Sequence, residues 1–176
     1  MNSKYQLGWS NTFTYKGLSL YFLINGKIGG KVVSFTEAYL DNYGVSQRTA
    51  NARLAAESNP NLIWNGKPAL VMSDGNMAPI QEYYQSIGGD INATQYVYDA
   101  TNFRLRELSL GYTFKNLLGA SKNVSLSFVA RNLFFLYKDA PCDPDISLST
   151  QNGLSAFELF NMPSTRSFGF SLKANF

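Results

Sequence analysis

The chain has 176 residues, enough for one domain of ordinary size, with 15 basic and 12 acidic side chains for a net charge of +3. Charged residues make up 15% of it and aromatic residues another 15%, too few charges and too many rings for a disordered chain, and too little clustered basic charge for nucleic acid. It contains no histidine and one cysteine, Cys142, which excludes Ser-His-Asp and Cys-His catalysis, histidine-ligated metals and an internal disulfide framework.

Acid–base chemistry would then fall to a carboxylate pair, and no pair shares an ordered, convergent element in the sequence pattern. The chain is therefore expected to be no enzyme and to hold no metal or cofactor. Residues 1–6 contain no apolar stretch of the kind a secretory leader needs, so no leader is expected there. No run of about 18 apolar residues is present to cross a membrane as a helix. A mean hydropathy of −0.16 suits a soluble protein and a membrane β-barrel alike.

In chain order, residues 4–15 alternate, with Tyr5, Leu7, Trp9, Asn11, Phe13 and Tyr15 against Gln6, Gly8, Ser10, Thr12 and Thr14, Asn11 being the one polar residue on the otherwise apolar side. Lys16-Gly17 reads as a tight turn into a second strand over 18–28, carrying Leu18, Leu20, Phe22 and Ile24. Asn25-Gly26 is a hairpin-turn dipeptide that could fold Lys27 to Phe35 back as another strand. The spacing of Phe35, Tyr39 and Tyr43 behind the capping box Ser34-Phe35-Thr36-Glu37 favours a helix instead. Gly44 would end it, and Ser46 would cap a second helix toward Ala56. Turn chemistry at Asn59-Pro60-Asn61, Ser73-Asp74-Gly75-Asn76 and Gly88-Gly89-Asp90 makes the whole stretch 30–101 a folded loop with its own packing.

Strand periodicity then returns. Over 102–114, Leu108, Leu110, Tyr112 and Phe114 oppose Glu107, Ser109, Gly111 and Thr113. Over 123–137, Val124, Leu126, Phe128 and Ala130 oppose Ser125, Ser127 and Arg131, and the strand runs on into Leu133–Tyr137, apolar on both faces. After a loop at 138–164, residues 165–176 set Phe168, Phe170, Leu172, Ala174 and Phe176 against Ser167, Gly169, Ser171, Lys173 and Asn175.

The long connections, 30–101 and 138–164, alternate with short ones, so both emerge at one end of the sheet. The strands exceed the 5–6 residues or so usual in globular proteins. Their polar faces carry mainly Ser, Thr, Gly, Gln and Asn, and aromatics gather near strand ends, as interfacial girdles require. The pattern predicts an all-β, antiparallel, up-and-down transmembrane β-barrel with one long, partly helical loop. Five strands cannot close such a barrel, which needs about eight or more, so the chain is expected to be a segment of a larger wall. Leu108, Leu110, Tyr112, Val124, Leu126, Phe128, Phe168, Phe170 and Leu172 would then face lipid. The competing expectation is a soluble β-sandwich, a carbohydrate-binding module in which apolar stripes face each other across a shared core.

Tyr96-Val97-Tyr98-Asp99-Ala100-Thr101-Asn102-Phe103-Arg104-Leu105-Arg106-Glu107-Leu108-Ser109-Leu110-Gly111-Tyr112-Thr113-Phe114 closely resembles the penultimate-hairpin signature of SusC/RagA-type TonB-linked outer-membrane transporters of the Bacteroidota. Ser127-Phe128-Val129-Ala130-Arg131-Asn132-Leu133-Phe134 is similar to the next strand of that family. Ala140-Pro141-Cys142-Asp143-Pro144-Asp145 and Met162-Pro163-Ser164-Thr165-Arg166-Ser167-Phe168-Gly169-Phe170 resemble its closing loop and last strand. Upstream, Phe35-Thr36-Glu37-Ala38-Tyr39-Leu40-Asp41-Asn42-Tyr43-Gly44-Val45-Ser46 fits as well. The resemblance implies the last strands of an outer-membrane barrel that imports oligosaccharides or peptides. It implies as partners the rest of the barrel and plug, the TonB complex, outer-membrane lipid and a SusD-like lipoprotein lid, with no nucleic acid. The long loops would face outside the cell, and Phe176 would be the terminal aromatic that the assembly machinery reads.

Among individual residues, Trp64, Tyr83, Tyr84, Tyr96 and Tyr98 of the first long loop are candidates to stack on sugar or meet a lid, against the plainer expectation that they form the loop's own core. Asp143-Pro144-Asp145 and Asp74-Gly75-Asn76 have oxygen-rich spacing without a full calcium-loop pattern, so turns are expected. Arg104, Arg106 and Glu107 could line the lumen and contact a substrate, but a local ion pair at the rim is favoured, worth about 0–1 kcal/mol if solvated. Cys142 is expected to be an idle thiol.

Overall fold

The structure, a computed structural model, describes residues 3–89, 93–115, 123–146, 148 and 154–175. In chain order the elements are β1 (Tyr5–Tyr15), β2 (Leu18–Ile28), β3 (Lys31–Ser34), α1 (Phe35–Asn42), α2 (Gln47–Ser58), β4 (Ile63–Trp64) and β5 (Lys67–Val71). They continue as β6 (Met77–Pro79), α3 (Ile80–Gly89), β7 (Val97–Asp99), β8 (Asn102–Phe114), β9 (Asn123–Lys138), β10 (Phe157–Glu158) and β11 (Ser167–Asn175). The fold is mostly β, and no helix is long and apolar enough to cross a membrane among the described residues. Phe176, the expected assembly signal, lies outside the described residues.

The chain divides into two compact units. Unit 1 comprises Met1–Lys31, Asp99–Ile146 and Met162–Phe176; unit 2 comprises Val32–Tyr98 and Ser147–Asn161.

Unit 1 is one antiparallel sheet in the order β1-β2-β8-β9-β11. Its five strands begin and end within two residues of the bounds predicted from alternation. Lys16 and Gly17 both take positive φ, 46° and 90°, the left-handed pair that makes a two-residue turn match the twist of its strands. Register then lines up like with like. Tyr15, Leu18, Tyr112, Leu126 and Leu172 form one row across all five strands, and Phe13, Leu20, Leu110, Phe128 and Phe170 form the next. On the opposite face the matching row is Thr14, Ser19, Gly111, Ser127 and Ser171. A Cβ on Gly111 would meet the Ser19 and Ser127 hydroxyl oxygens at 2.7 Å, so the polar rows close up over the missing side chain.

Nothing in unit 1 covers the apolar face among the described residues. Phe170 is 80% exposed, Leu172 72% and Trp9 60%. Along this face rings touch across strands: Trp9 and Phe13 against Phe22, and Phe128 between Phe168 and Phe170.

The register slips at Arg106. Leu23 pairs with Glu107 and Ile24 with Leu105, leaving Arg106 as an extra residue in β8. Such a bulge reverses which side chains point which way beyond it. Leu105 therefore joins Ile24 and Phe134 on the apolar side, and Arg104 pairs with Asn25 and Phe135 on the polar side. Asn25-Gly26 makes no turn; it lies inside β2, with Gly26 under the ring of Phe103.

Unit 2 joins three helices to two small sheets, β10-β3-β7 and β4-β5-β6. Ser34 caps α1 by accepting from the Glu37 amide, and Ser46 caps α2 by accepting from the Thr49 amide. Gly44, at φ 69°, ends α1: its amide donates to Asp41 O and the Val45 amide to Leu40 O, the paired bonds that close a helix through a left-handed residue. Helix α3 packs against α1 at Gly88, where any Cβ would strike the backbone of Ala38. The apolar interior is small: Val32, Ala38, Ala56, Ala69, Ile80 and Tyr96. Ser34, Asp41, Ser46, Thr49 and Glu158 are buried with it. Glu158 is satisfied by the hydroxyls of Ser34 and Thr36 at 2.7 and 2.8 Å.

Candidate functional site

In unit 1 the expected lipid-facing residues Leu108, Leu110, Tyr112, Val124, Leu126, Phe128, Phe168, Phe170 and Leu172 share one face through the strand register. At the end of the sheet nearer Lys138, the polar face carries a charge cluster. The bulge turns Arg104 onto that face, where it is 3% exposed. Its Nη2 donates to Asp143 Oδ2 at 2.5 Å and to Ser164 Oγ at 2.8 Å, and Ser164 in turn donates to Asp143. Its guanidinium lies 3.9 Å from the centroid of the Phe135 ring. Arg106 and Lys27 reach Asp145 at 3.2 and 2.8 Å.

Two expectations are corrected here. Arg104 is not in a solvated pair, and Glu107 is not its partner: Glu107 pairs with the exposed Arg131 at 3.0 Å. Removing one partner of a buried pair costs about 3–5 kcal/mol rather than the fraction of a kcal/mol of a surface pair. Asp143-Pro144-Asp145 does turn, the Asp145 amide donating to Asp143 Oδ1. Its carboxylates are also taken by Arg104, Arg106 and Lys27, which fasten residues 139–146 back onto the sheet. Burial pushes the Asp143 carboxyl up, but hydrogen bonds from Ser164 and Arg104 outweigh it and hold the pKa below the ordinary value. Asp74 makes an exposed turn with Asn76. Cys142 is half-buried and forms no disulfide.

The five loop aromatics of unit 2 do not converge on one surface. Tyr96 is fully buried, and its hydroxyl donates to Asp41 Oδ2 at 2.9 Å. Burial, reinforced by the Asp41 bond and charge, raises its pKa far above the ordinary phenol value. Arg48 donates to the same Asp41 oxygen, and its guanidinium lies over the rings of Tyr96 and Tyr84 at 5.2 and 5.9 Å. Burial opposes charge on Arg48, but Asp41 more than restores it. Tyr83 meets Tyr84 edge-on at 5.2 Å. Trp64 is exposed on β4, and Tyr98 is half-buried in β7.

Beside this triad lies a cavity of about 480 Å³, lined by Asp41, Thr49, Ile80 and Tyr84 together with Arg53, Lys67 and Glu82 at its charged side. Of the five aromatics proposed from sequence, Tyr84 alone lines it. The sequence offered no sign of Asp41, Arg48 or Arg53 as a group, because they sit on two helices and meet only through packing. No group of carboxylates among the described residues is arranged to hold a metal ion. No protein-family model matches the chain, and no curated protein matches it.

Proposed function

We propose that unit 1 is a wall segment of an outer-membrane active transporter, its apolar face in lipid and its small polar face toward an aqueous interior. What supports this most is the pair of apolar rows running unbroken across five strands while staying exposed to solvent. A water-soluble sheet would hide such a face under a second layer. The dimensions agree. Ten residue steps from Tyr5 to Tyr15 span about 33 Å, or about 23 Å of depth at a 45° tilt, close to the roughly 25 Å apolar band of such barrels. On this face Phe13, Tyr15 and Tyr112 lie near the β1–β2 turn and Trp9, Phe134 and Tyr137 toward the other end, with Phe22 and Phe168 in the row between.

β1 and β11 each have one neighbour in the sheet. Unpaired edge groups cost several kcal/mol each in hydrocarbon, so both edges must meet further strands of the same barrel. Together with the SusC/RagA resemblance, this makes the chain part of a TonB-energised importer of oligosaccharides or peptides. Residues 30–101 and 138–164 would then lie outside the cell, where a SusD-like lipoprotein would meet them. The segment performs no chemistry and transports nothing by itself.

Extraction tests the proposal. The expressed chain should require detergent or lipid to stay monodisperse. A monodisperse monomer in plain buffer would overturn the membrane reading in favour of a soluble sandwich.

A further inference from the structure

We infer that the cavity of unit 2 is a binding site for a small anion that combines one carboxylate with a neutral hydrogen-bond donor, a hydroxyl or an amide N–H. Its volume, about 480 Å³, is in the range of small-molecule sites. Two features give it chemical direction. First, Asp41 lines the cavity with its side chain wholly buried, and although Oδ2 is held by Arg48 and Tyr96, Oδ1 has no hydrogen-bond partner. A buried carboxylate oxygen left unpaired is costly, and a donor on a ligand would relieve it after a slight opening of the site.

Second, the charges around the cavity do not cancel. Asp41 is neutralised by Arg48, and Lys67 pairs with Glu82 at 2.8 Å. Arg53 bonds the Gly44 carbonyl through Nη1 and has no acidic partner among the described residues. Its positive charge is thus available to a carboxylate at the mouth. An ammonium ligand fits poorly, because it would add a second cation beside Arg48 at a buried carboxylate. A neutral donor at Asp41 and an anion at Arg53 satisfy both groups, with the Tyr84 ring as an apolar wall. This site lies within unit 2 and does not depend on where unit 1 resides.

The shared chemistry occurs in sugar acids and in N-blocked short peptides, so the probes are D-glucuronate and N-acetylglycylglycine, titrated by NMR against the full-length chain in detergent, with D-glucose as the neutral control. At least one anionic probe should bind saturably in the millimolar range. D-Glucose should bind at least about ten-fold more weakly, and Arg53→Gln should weaken the anion about ten-fold while leaving the melting transition unchanged. Gln85→Ala, also on the lining, gives a second variant should Arg53→Gln not fold. No saturable binding of either anion to the folded chain overturns the inference, as does equal binding of D-glucose or indifference to both substitutions. Glucuronate alone binding assigns the site to sugar acids, and N-acetylglycylglycine alone to peptide carboxylates. A detergent-dependent chain that binds neither would sink this site and leave the transporter proposal standing; a detergent-free monomer that binds one would do the reverse.

Discussion

In unit 1 large apolar side chains are among the most exposed, Phe170 and Leu172 above all, whereas in unit 2 Asp41, Thr49 and Tyr96 are withdrawn completely from solvent. Unit 2 closes a small interior of its own, although Tyr43, Val45, Leu54 and Phe160 on it are also exposed. Its interior is closed by three alanines, Val32, Ile80 and Tyr96, and its buried carboxylates at Asp41 and Glu158 are met by an arginine and by hydroxyl groups. Among the described residues and apart from glycines, unit 1 buries only Ala130, Ala140, Asn102 and Arg104, with no large apolar side chain among them. Its order comes from backbone ladders and cross-strand rows, and its two faces differ as two solvents would differ. The contrast is the one expected if unit 1 faces lipid, as proposed, while unit 2 faces water.

The contrast breaks most severely where a buried charge holds a unit together. Asp41→Ala strips Arg48 and Tyr96 of their shared acceptor and should destabilise unit 2 by about 3–5 kcal/mol, read as loss of hydrogen-exchange protection in α1 and α2. The same change should leave the β8–β9 amides protected. Uniform loss across both units would mean that they share one core.

Next in size is a test of the faces. In a closed parent barrel, Phe170→Arg places a guanidinium in hydrocarbon and should cost about 2–4 kcal/mol near the midplane. Ser171→Arg, one residue on and facing the polar side, should cost much less. Unfolding in vesicles compares the two directly, and equal penalties would contradict the assigned faces.

The smallest effect concerns the Asp143 turn. Because its folded pKa lies below the ordinary one, its contribution is fully present above the unfolded value of about 3.9. That contribution is lost as pH falls through the lower folded value. An NMR titration of the Asp143 carboxyl carbon should give a midpoint below about 3.9; a midpoint at or above it would mean that Arg104 does not hold it.

How far the sequence could be read follows from the range of each interaction. Strand alternation is local, so Phe168 to Ala174 could be assigned from one stretch of chain, as could the Ser34 and Ser46 caps. The bulge at Arg106 could not. It depends on the register of β8 against two neighbours at once, and without it strict alternation puts Arg104 on the apolar face. The same blindness hid the role of Phe135: apolar on both faces, the Leu133–Tyr137 run gave no reason to expect one of its rings over a guanidinium. In unit 2 the Tyr96–Asp41 bond joins residues 55 positions apart, so the candidate tyrosines could be named but not sorted into core and cavity wall.

The chain's two tryptophans allow the central claim to be measured directly. Trp9 lies on the apolar face of unit 1 and Trp64 in unit 2, so Trp64→Phe leaves a reporter on the sheet and Trp9→Phe a reporter in unit 2. In vesicles containing brominated lipid, Trp9 emission should be strongly quenched and Trp64 emission should not. Unquenched Trp9 in the vesicle-bound protein would contradict a lipid-facing sheet.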